Sequence, residues 1–194
     1  MNRSLRIAIA DDEPHTGDYF RAILEQQGHR VVAVASNGRQ LVEQCRQQEP
    51  DLVVTDVKMP EMDGIEAASE IYRERPVPVI FVSAFHDPEF IDRAEGDHVL
   101  AYLVKPVKEA DLEMAVKVAM RRFEQFQSLH KEAADAKQAL EDRKLIERAK
   151  GILMKRGRLD EQEAFKNMQK LARSKSKKLV EIAQIVITAE EAFE

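Results

Sequence analysis

The chain has 194 residues, 44% of them hydrophobic, which suits one ordinary domain with a smaller partner better than a single large core. It holds no run of roughly 18 apolar residues and no apolar stretch behind a basic N-terminus; neither a membrane span nor a secretory signal is expected, and a cytoplasmic protein is. The net charge of -5 hides an asymmetry: residues 1–142 carry 17 Lys and Arg against 27 Asp and Glu, whereas residues 143–178 carry 13 against 4. A short basic block on an acidic protein is the footprint of a polyanion partner, with a solvated helix face as the plainer alternative.

Short apolar runs at Leu5–Ala10, Val31–Ala35, Leu52–Thr55, Val77–Val82 and Val99–Val104 read as strands, several of them apolar on both faces and therefore buried. Between them, segments 14–27, 38–48, 64–75 and 87–95 have helical spacing, as in Phe20, Ile23 and Leu24. Strands alternating with helices predict an α/β, doubly wound parallel sheet that binds ligands at the carboxyl ends of its strands. The lone cysteine, Cys45, falls in the second helical segment and reads as a small buried residue.

From Lys108 to Lys150 there is neither Gly nor Pro, which predicts one long helix. Met120, Phe123, Phe126, Leu129, Ala133, Ala136 and Leu140 step along it by three or four residues. Such a stripe suits a coiled-coil dimer, or packing back onto the same chain. Gly157 reads as a helix stop, Asp160 with Glu163 as a capping box opening a helix to about Ala172, and Ser174 and Ser176 as the next break. Leu179, Ile182, Ala183, Val186 and Ile187 then mark a last helix, making a small three-helix all-α unit. Its expected core is Ile146, Ala149, Leu153, Phe165, Met168, Leu171, Leu179, Ile182 and Val186.

Asp11 and Asp12 follow the first strand, Asp56 the third, Ser83 the fourth and Lys105-Pro106 the fifth, so all should converge on one crevice. Three carboxylates repel one another unless a cation sits among them, and all-oxygen ligation suits Mg2+. A carboxylate there can attack phosphorus to give an acyl phosphate while an ammonium offsets charge on the phosphoryl oxygens. Asp11-Asp12, the run Asp56-Val57-Lys58-Met59-Pro60-Glu61-Met62-Asp63-Gly64, Ser83-Ala84, Tyr102 and Lys105-Pro106 together resemble the receiver domain of two-component response regulators, over roughly residues 4–120. The resemblance implies a flavodoxin-like five-stranded fold, a cognate histidine kinase as partner, and Asp56 as phosphoacceptor. It implies further that Mg2+ is held by Asp12, by Asp11 through water, by Asp56 and by the Lys58 backbone carbonyl. Lys105 and Ser83 would contact the phosphoryl group, Tyr102 would swing inward as Ser83 moves, and Lys105-Pro106 would be cis. Ser83 stands where Thr is commoner and keeps the hydroxyl.

In the tail, Arg143-Lys144-Leu145-Ile146-Glu147-Arg148-Ala149-Lys150-Gly151-Ile152-Leu153-Met154-Lys155-Arg156, then Ala164-Phe165 and Lys178-Leu179-Val180-Glu181-Ile182-Ala183, resemble the ANTAR domain, over about residues 135–190. That resemblance implies binding to RNA hairpins in nascent transcripts, promotion of transcription antitermination, and no enzymatic output. Arg143, Arg148, Lys150, Gly151, Lys155, Arg156, Arg173, Lys177 and Lys178 are the expected RNA-facing residues. Expected boundaries are 1–120 for the receiver, 121–140 for a helical linker and 141–194 for the RNA-binding domain, with phosphorylation favouring a homodimer. The alternative is a receiver-controlled DNA-binding regulator with a helix-turn-helix tail. Against it stands a reading of the basic residues as bracketing the first and third tail helices rather than crowding the second.

Overall fold

Five parallel strands in the order β2-β1-β3-β4-β5 form the sheet of a computed structural model that describes residues 3–84 and 99–192. In chain order the elements are β1 (Arg6–Ala10), α1 (Pro14–Gln26), β2 (Arg30–Ala35), α2 (Gly38–Gln48), β3 (Leu52–Asp56), α3 (Gly64–Glu74), β4 (Val79–Ser83), β5 (Val99–Val104), α4 (Glu109–Gly157), α5 (Glu161–Lys175) and α6 (Leu179–Glu191). The expected helix near 87–95 lies outside the described residues. The chain divides into two compact units, Met1–Gln127 and Ser128–Glu194, with the division falling inside α4.

In the first unit every residue of β3 and β4 is buried, as continuous apolar runs demand of central parallel strands, whereas the edge strand β2 alternates buried and exposed positions. Strand alternation sends Ile7, Ile9, Val54, Ile80 and Val82 to one face, where Phe20 and Leu24 of α1 and Leu112 and Val116 of α4 cover them. Ala8, Ala10, Val53 and Phe81 face the other way, beneath Leu41 and Val42 of α2 and Ile65 and Ile71 of α3. Full burial of a side chain such as Phe20 or Phe81 contributes about 2–3 kcal/mol. Strand β4 begins two residues later than expected. Pro76 and Pro78 lack the N–H a ladder needs, and Pro78 joins only through its carbonyl, which accepts from Val53 N at 3.0 Å.

Cys45 is buried on α2, and burial pushes its thiol up to about 12. Two of the helices flanking the crevice start on a side-chain cap: Asn37 accepts from Gln40 N and Asp63 from Glu66 N, both at 2.8 Å.

In the second unit, Ala149, Met168, Ala172, Ile182, Ala183 and Ile187 form the core, with Leu145, Ile146, Ile152, Leu153, Leu179 and Val186 packed around them. The capping box at the start of α5 is present in both halves: Asp160 accepts from Glu163 N at 2.8 Å, and Glu163 accepts from Asp160 N at 3.1 Å. Two expectations need correction. Gly157 is the last helical residue, and the left-handed conformation that ends α4 belongs to Arg158, with φ 49°. Phe165 and Leu171, expected in the core, are 36% and 38% exposed. The inward stripe of α5 is Ala164, Met168 and Ala172, and positions three residues either side of Met168 fall on its flanks. On α4, Leu129 and Leu140 are 65% and 55% exposed within this chain.

Candidate functional site

Each acidic residue of the crevice sits where a parallel strand runs out at its carboxyl end. Asp11 and Asp12 follow β1, Asp56 closes β3, Ser83 closes β4 and Lys105 follows β5, joined to Ser83 by a backbone hydrogen bond from Lys105 N at 2.8 Å. Asp11, Asp56 and Ser83 are buried, and Asp12 is exposed at the rim. Asp11, Asp12 and Asp56 each present a carboxylate oxygen, and these oxygens lie within 4.8 Å of one another. The Lys105 ammonium stands 2.9 Å from Asp11 Oδ2 and donates to Asp56 Oδ2. Asp56 Oδ1 accepts from Lys58 N at 3.1 Å, and Asp11 Oδ1 accepts from Glu13 N at 3.0 Å. The Lys105-Pro106 peptide is cis. Tyr102 is half-buried on β5, level in register with Phe81 and packed against the sheet face beneath α2 and α3.

The charges do not balance. One ammonium is shared between two buried carboxylates, and it is the partner, at 2.9 Å, of the buried Asp11 Oδ2. Burial therefore holds the Asp11 carboxyl above its ordinary 3.8; Lys105 and the Glu13 N–H pull the other way, and the Asp56 charge adds to the rise. Burial opposes the Lys105 charge as well, but the hydrogen bonds to Asp56 and Asp11 outweigh it and keep the ammonium above its ordinary 10.5. An all-oxygen donor set in which three carboxylates face one ammonium leaves excess negative charge and fits a hard divalent cation.

A native state that binds the Asp11 proton more tightly than the unfolded chain becomes less stable as pH rises from 3.8 through the raised value. Asp11→Asn is thus expected to unfold at higher urea than wild type at pH 7 without divalent cations. The gap should narrow as pH falls toward 4, and a gap that stays constant across that range would contradict the reading.

Two glycines that the site depends on were not among the expected functional residues. Gly64 N donates to Val57 O at 2.9 Å and Gly38 N to Met62 O at 3.0 Å, which pins the loop after Asp56 between α3 and α2. A Cβ at Gly64 would stand 2.0 Å from Asp56 O, and one at Gly38 2.6 Å from Met62 O. Their position directly after the caps Asp63 and Asn37 was the available signal.

The expected RNA-facing residues separate into two groups. Arg148 pairs with Glu191 at 3.0 Å and Arg156 with Glu190 at 2.9 Å, tying α4 to α6. Lys150 is held between Glu147 at 2.5 Å and Glu161 at 2.8 Å, hydrogen bonds that raise its pKa, and its side chain is only 11% exposed. Lys177 pairs with Glu181 at 3.4 Å. Arg143, Lys155, Arg173 and Lys178 are exposed and form no side-chain ion pair among the described residues. Gly151 is exposed, with nothing within 4 Å of where a Cβ would stand.

The family model described as Response regulator receiver domain matches residues 7–117, and the one described as ANTAR domain matches residues 134–187. The Transcriptional regulatory protein PdtaR of Mycobacterium tuberculosis is 38% identical over 182 residues, spanning 94% of this chain and 89% of its own length. The Positive alginate biosynthesis regulatory protein of Pseudomonas aeruginosa is 38% identical over 120 residues, 60% of this chain and 48% of that protein. Among solved structures, the signal receiver domain of a modulated diguanylate cyclase from Desulfovibrio desulfuricans has a TM-score of 0.60 and 26% identity, covering 63% of this chain and 98% of that one. A chain of the CheX-CheY-BeF3-Mg complex from Borrelia burgdorferi has a TM-score of 0.53 and 26% identity, over 57% of this chain and 85% of that one. With two family models matching in this order and a relative alike over nearly its whole length, the chain belongs to the response regulators that join an N-terminal receiver domain to a C-terminal ANTAR domain.

Proposed function

We propose that this response regulator takes a phosphoryl group from a histidine kinase onto Asp56 and, in that state, binds RNA hairpins in nascent transcripts so that transcription runs past a terminator. The observation that carries the first half is the crevice itself, where three carboxylates converge within 4.8 Å and two of them, Asp11 and Asp56, share one ammonium. Asp11, Asp12 and Asp56, with the Lys58 carbonyl, are the groups to hold Mg2+, and Mg2+ was present in the Borrelia burgdorferi complex named above. Bound there, the ion supplies positive charge beside the phosphoryl oxygens.

Asp56 attacks phosphorus through a carboxylate oxygen; the new O–P bond forms as the bond from phosphorus to the donor breaks, and the donor leaves with its electron pair. Lys105, already directed at Asp56, shifts its pairing from carboxylate to phosphoryl oxygens. Ser83 closes the same crevice and donates its hydroxyl to the group, and Tyr102 on the neighbouring strand turns inward as Ser83 moves. The exposed stripe containing Leu129 and Leu140 then finds its cover in a second copy of the chain, so that two RNA-binding units act together. Exposed, unpaired cations such as Arg143, Lys155, Arg173 and Lys178 grip the RNA. The setting is the cytoplasm, and no helix among the described residues is long and apolar enough to cross a membrane.

The test is chemical. Incubation with a radiolabelled small acyl phosphate and Mg2+ should label wild type and leave Asp56→Asn at background, a difference of about 100-fold or more for loss of the nucleophile. Equal labelling of the two, or none of wild type, removes the proposal.

A further inference from the structure

The second tail helix carries a line of cations of which only Arg173 was among the expected RNA-facing residues. Lys166, Lys170 and Arg173 stand at i, i+4 and i+7 on α5, opposite the inward stripe of Ala164, Met168 and Ala172. All three are exposed, and none has a side-chain hydrogen bond or ion pair among the described residues. The helical rise spaces them about 6 and about 4.5 Å apart along the axis. Beside this line, on the flank of the helix, lies Phe165, an aromatic side chain 36% exposed.

A merely solvated helix face looks different, and α4 supplies the comparison within the same molecule. Three of its cations pair with acids one turn away, Lys117 with Glu113, Lys144 with Glu141 and Lys150 with Glu147, although Arg143 and Lys155 form no such pair among the described residues. On α5 Lys170 has Lys166 four residues before it and Arg173 three residues after it, like charges that repel, and one acid, Glu163, stands three residues before Lys166. The acid nearest in sequence to Lys166, Glu163, is committed to capping Asp160 N. Interaction with the helix dipole accounts for Arg173 in the last turn but not for Lys166 and Lys170 in the middle. A row of uncompensated cations flanked by an exposed aromatic ring matches a single-stranded nucleic acid, whose phosphates lie along the row and one of whose bases stacks on the ring.

We propose that the outward face of α5 is the principal RNA-binding surface of the C-terminal unit, with Lys166, Lys170 and Arg173 holding phosphates of a hairpin loop and Phe165 stacking on a loop base. This rests on the RNA-binding reading above and replaces the expectation that cations bracket the first and third tail helices. Arg148, Arg156 and Lys150 instead hold the bundle together, so that α5 is presented rigidly.

The probe is a hairpin RNA library with a randomised loop, titrated against the full chain pretreated with acetyl phosphate and Mg2+ over a range of salt. Lys166→Gln/Lys170→Gln/Arg173→Gln is expected to weaken binding at least about tenfold and to flatten the log affinity against log salt slope by about 2, near 0.7 per lost contact to single-stranded phosphate. Phe165→Leu should weaken binding about tenfold with the slope unchanged, because stacking releases no counterions. Lys131→Gln/Lys137→Gln/Lys144→Gln removes the same charge elsewhere on α4 and should leave both quantities near wild type. Gln is a good helix former, and circular dichroism checks that each variant keeps its helix content. Wild-type binding by the α5 triple variant, equal losses from the two triple variants, or equal affinity for duplex DNA with Phe165→Leu silent would each overturn this surface while leaving RNA binding standing. A wild-type chain that binds no hairpin overturns the RNA reading itself.

Discussion

Replacing Gly64 by Ala is expected to unfold the receiver at markedly lower urea and to abolish labelling of Asp56. The added methyl carbon would sit 2.0 Å from the Asp56 carbonyl oxygen and 3.0 Å from Thr55 Oγ1. Neither obstacle can swing aside cheaply: one is backbone at the end of β3, and the other is a buried hydroxyl donating to that same carbonyl at 3.0 Å. Either α3 retreats, losing the Gly64 N to Val57 O bond, or the end of β3 moves and takes the phosphoacceptor with it. Overpacking against immovable backbone costs about 3 kcal/mol or more. A variant with the wild-type urea midpoint and wild-type acyl-phosphate labelling would show that the loop does not depend on this contact.

The second large effect is expected in the tail. Ile182 is 1% exposed at the centre of the bundle core, and Ile182→Ala removes its packing against α4 and α5 residues of that cluster. Such a truncation costs about 2–5 kcal/mol, comparable to everything a core of this size supplies. Calorimetry should show the transition of the Ser128–Glu194 unit lowered or lost, hairpin binding lost with it, and acyl-phosphate labelling of Asp56 retained. Loss of labelling in Ile182→Ala would mean that the receiver requires an intact bundle, contrary to the separate core each unit possesses.

The receiver was legible because its central strands are buried on both faces and so read as unbroken apolar runs. The site residues then fall at strand ends, where sequence order alone brings Asp11, Asp56, Ser83 and Lys105 together. Less legible was anything that depends on backbone approaching backbone. Gly64 and Gly38 read as helix starts, and only the placement of the Asp56 and Met62 carbonyls shows why no side chain fits. The start of β4 was misplaced because an apolar run continues through Pro78 while the hydrogen-bond ladder does not.

In the tail, the helices, the capping box and most of the core follow from periodicity. Phe165 and Leu171 sit on the flanks of the inward stripe, where a period of 3.6 does not separate packing from exposure. Charge pairing is less legible for a different reason. Glu190 and Glu191 lie more than thirty residues from Arg156 and Arg148 in sequence, so which cations are spent on ion pairs is a tertiary fact. Counting local acids therefore gives no sign that Arg148 and Arg156 have partners, while Lys166 and Lys170 on the second tail helix have none among the described residues.

The buried sulfhydryl of α2 has a consequence for what this regulator can sense. Oxidants and disulfide exchange act on a thiolate, and burial in a packed layer, which pushes the Cys45 thiol up to about 12, keeps it protonated at neutral pH. The chain's single thiol is thereby shielded from oxidation and disulfide exchange while the receiver stays folded.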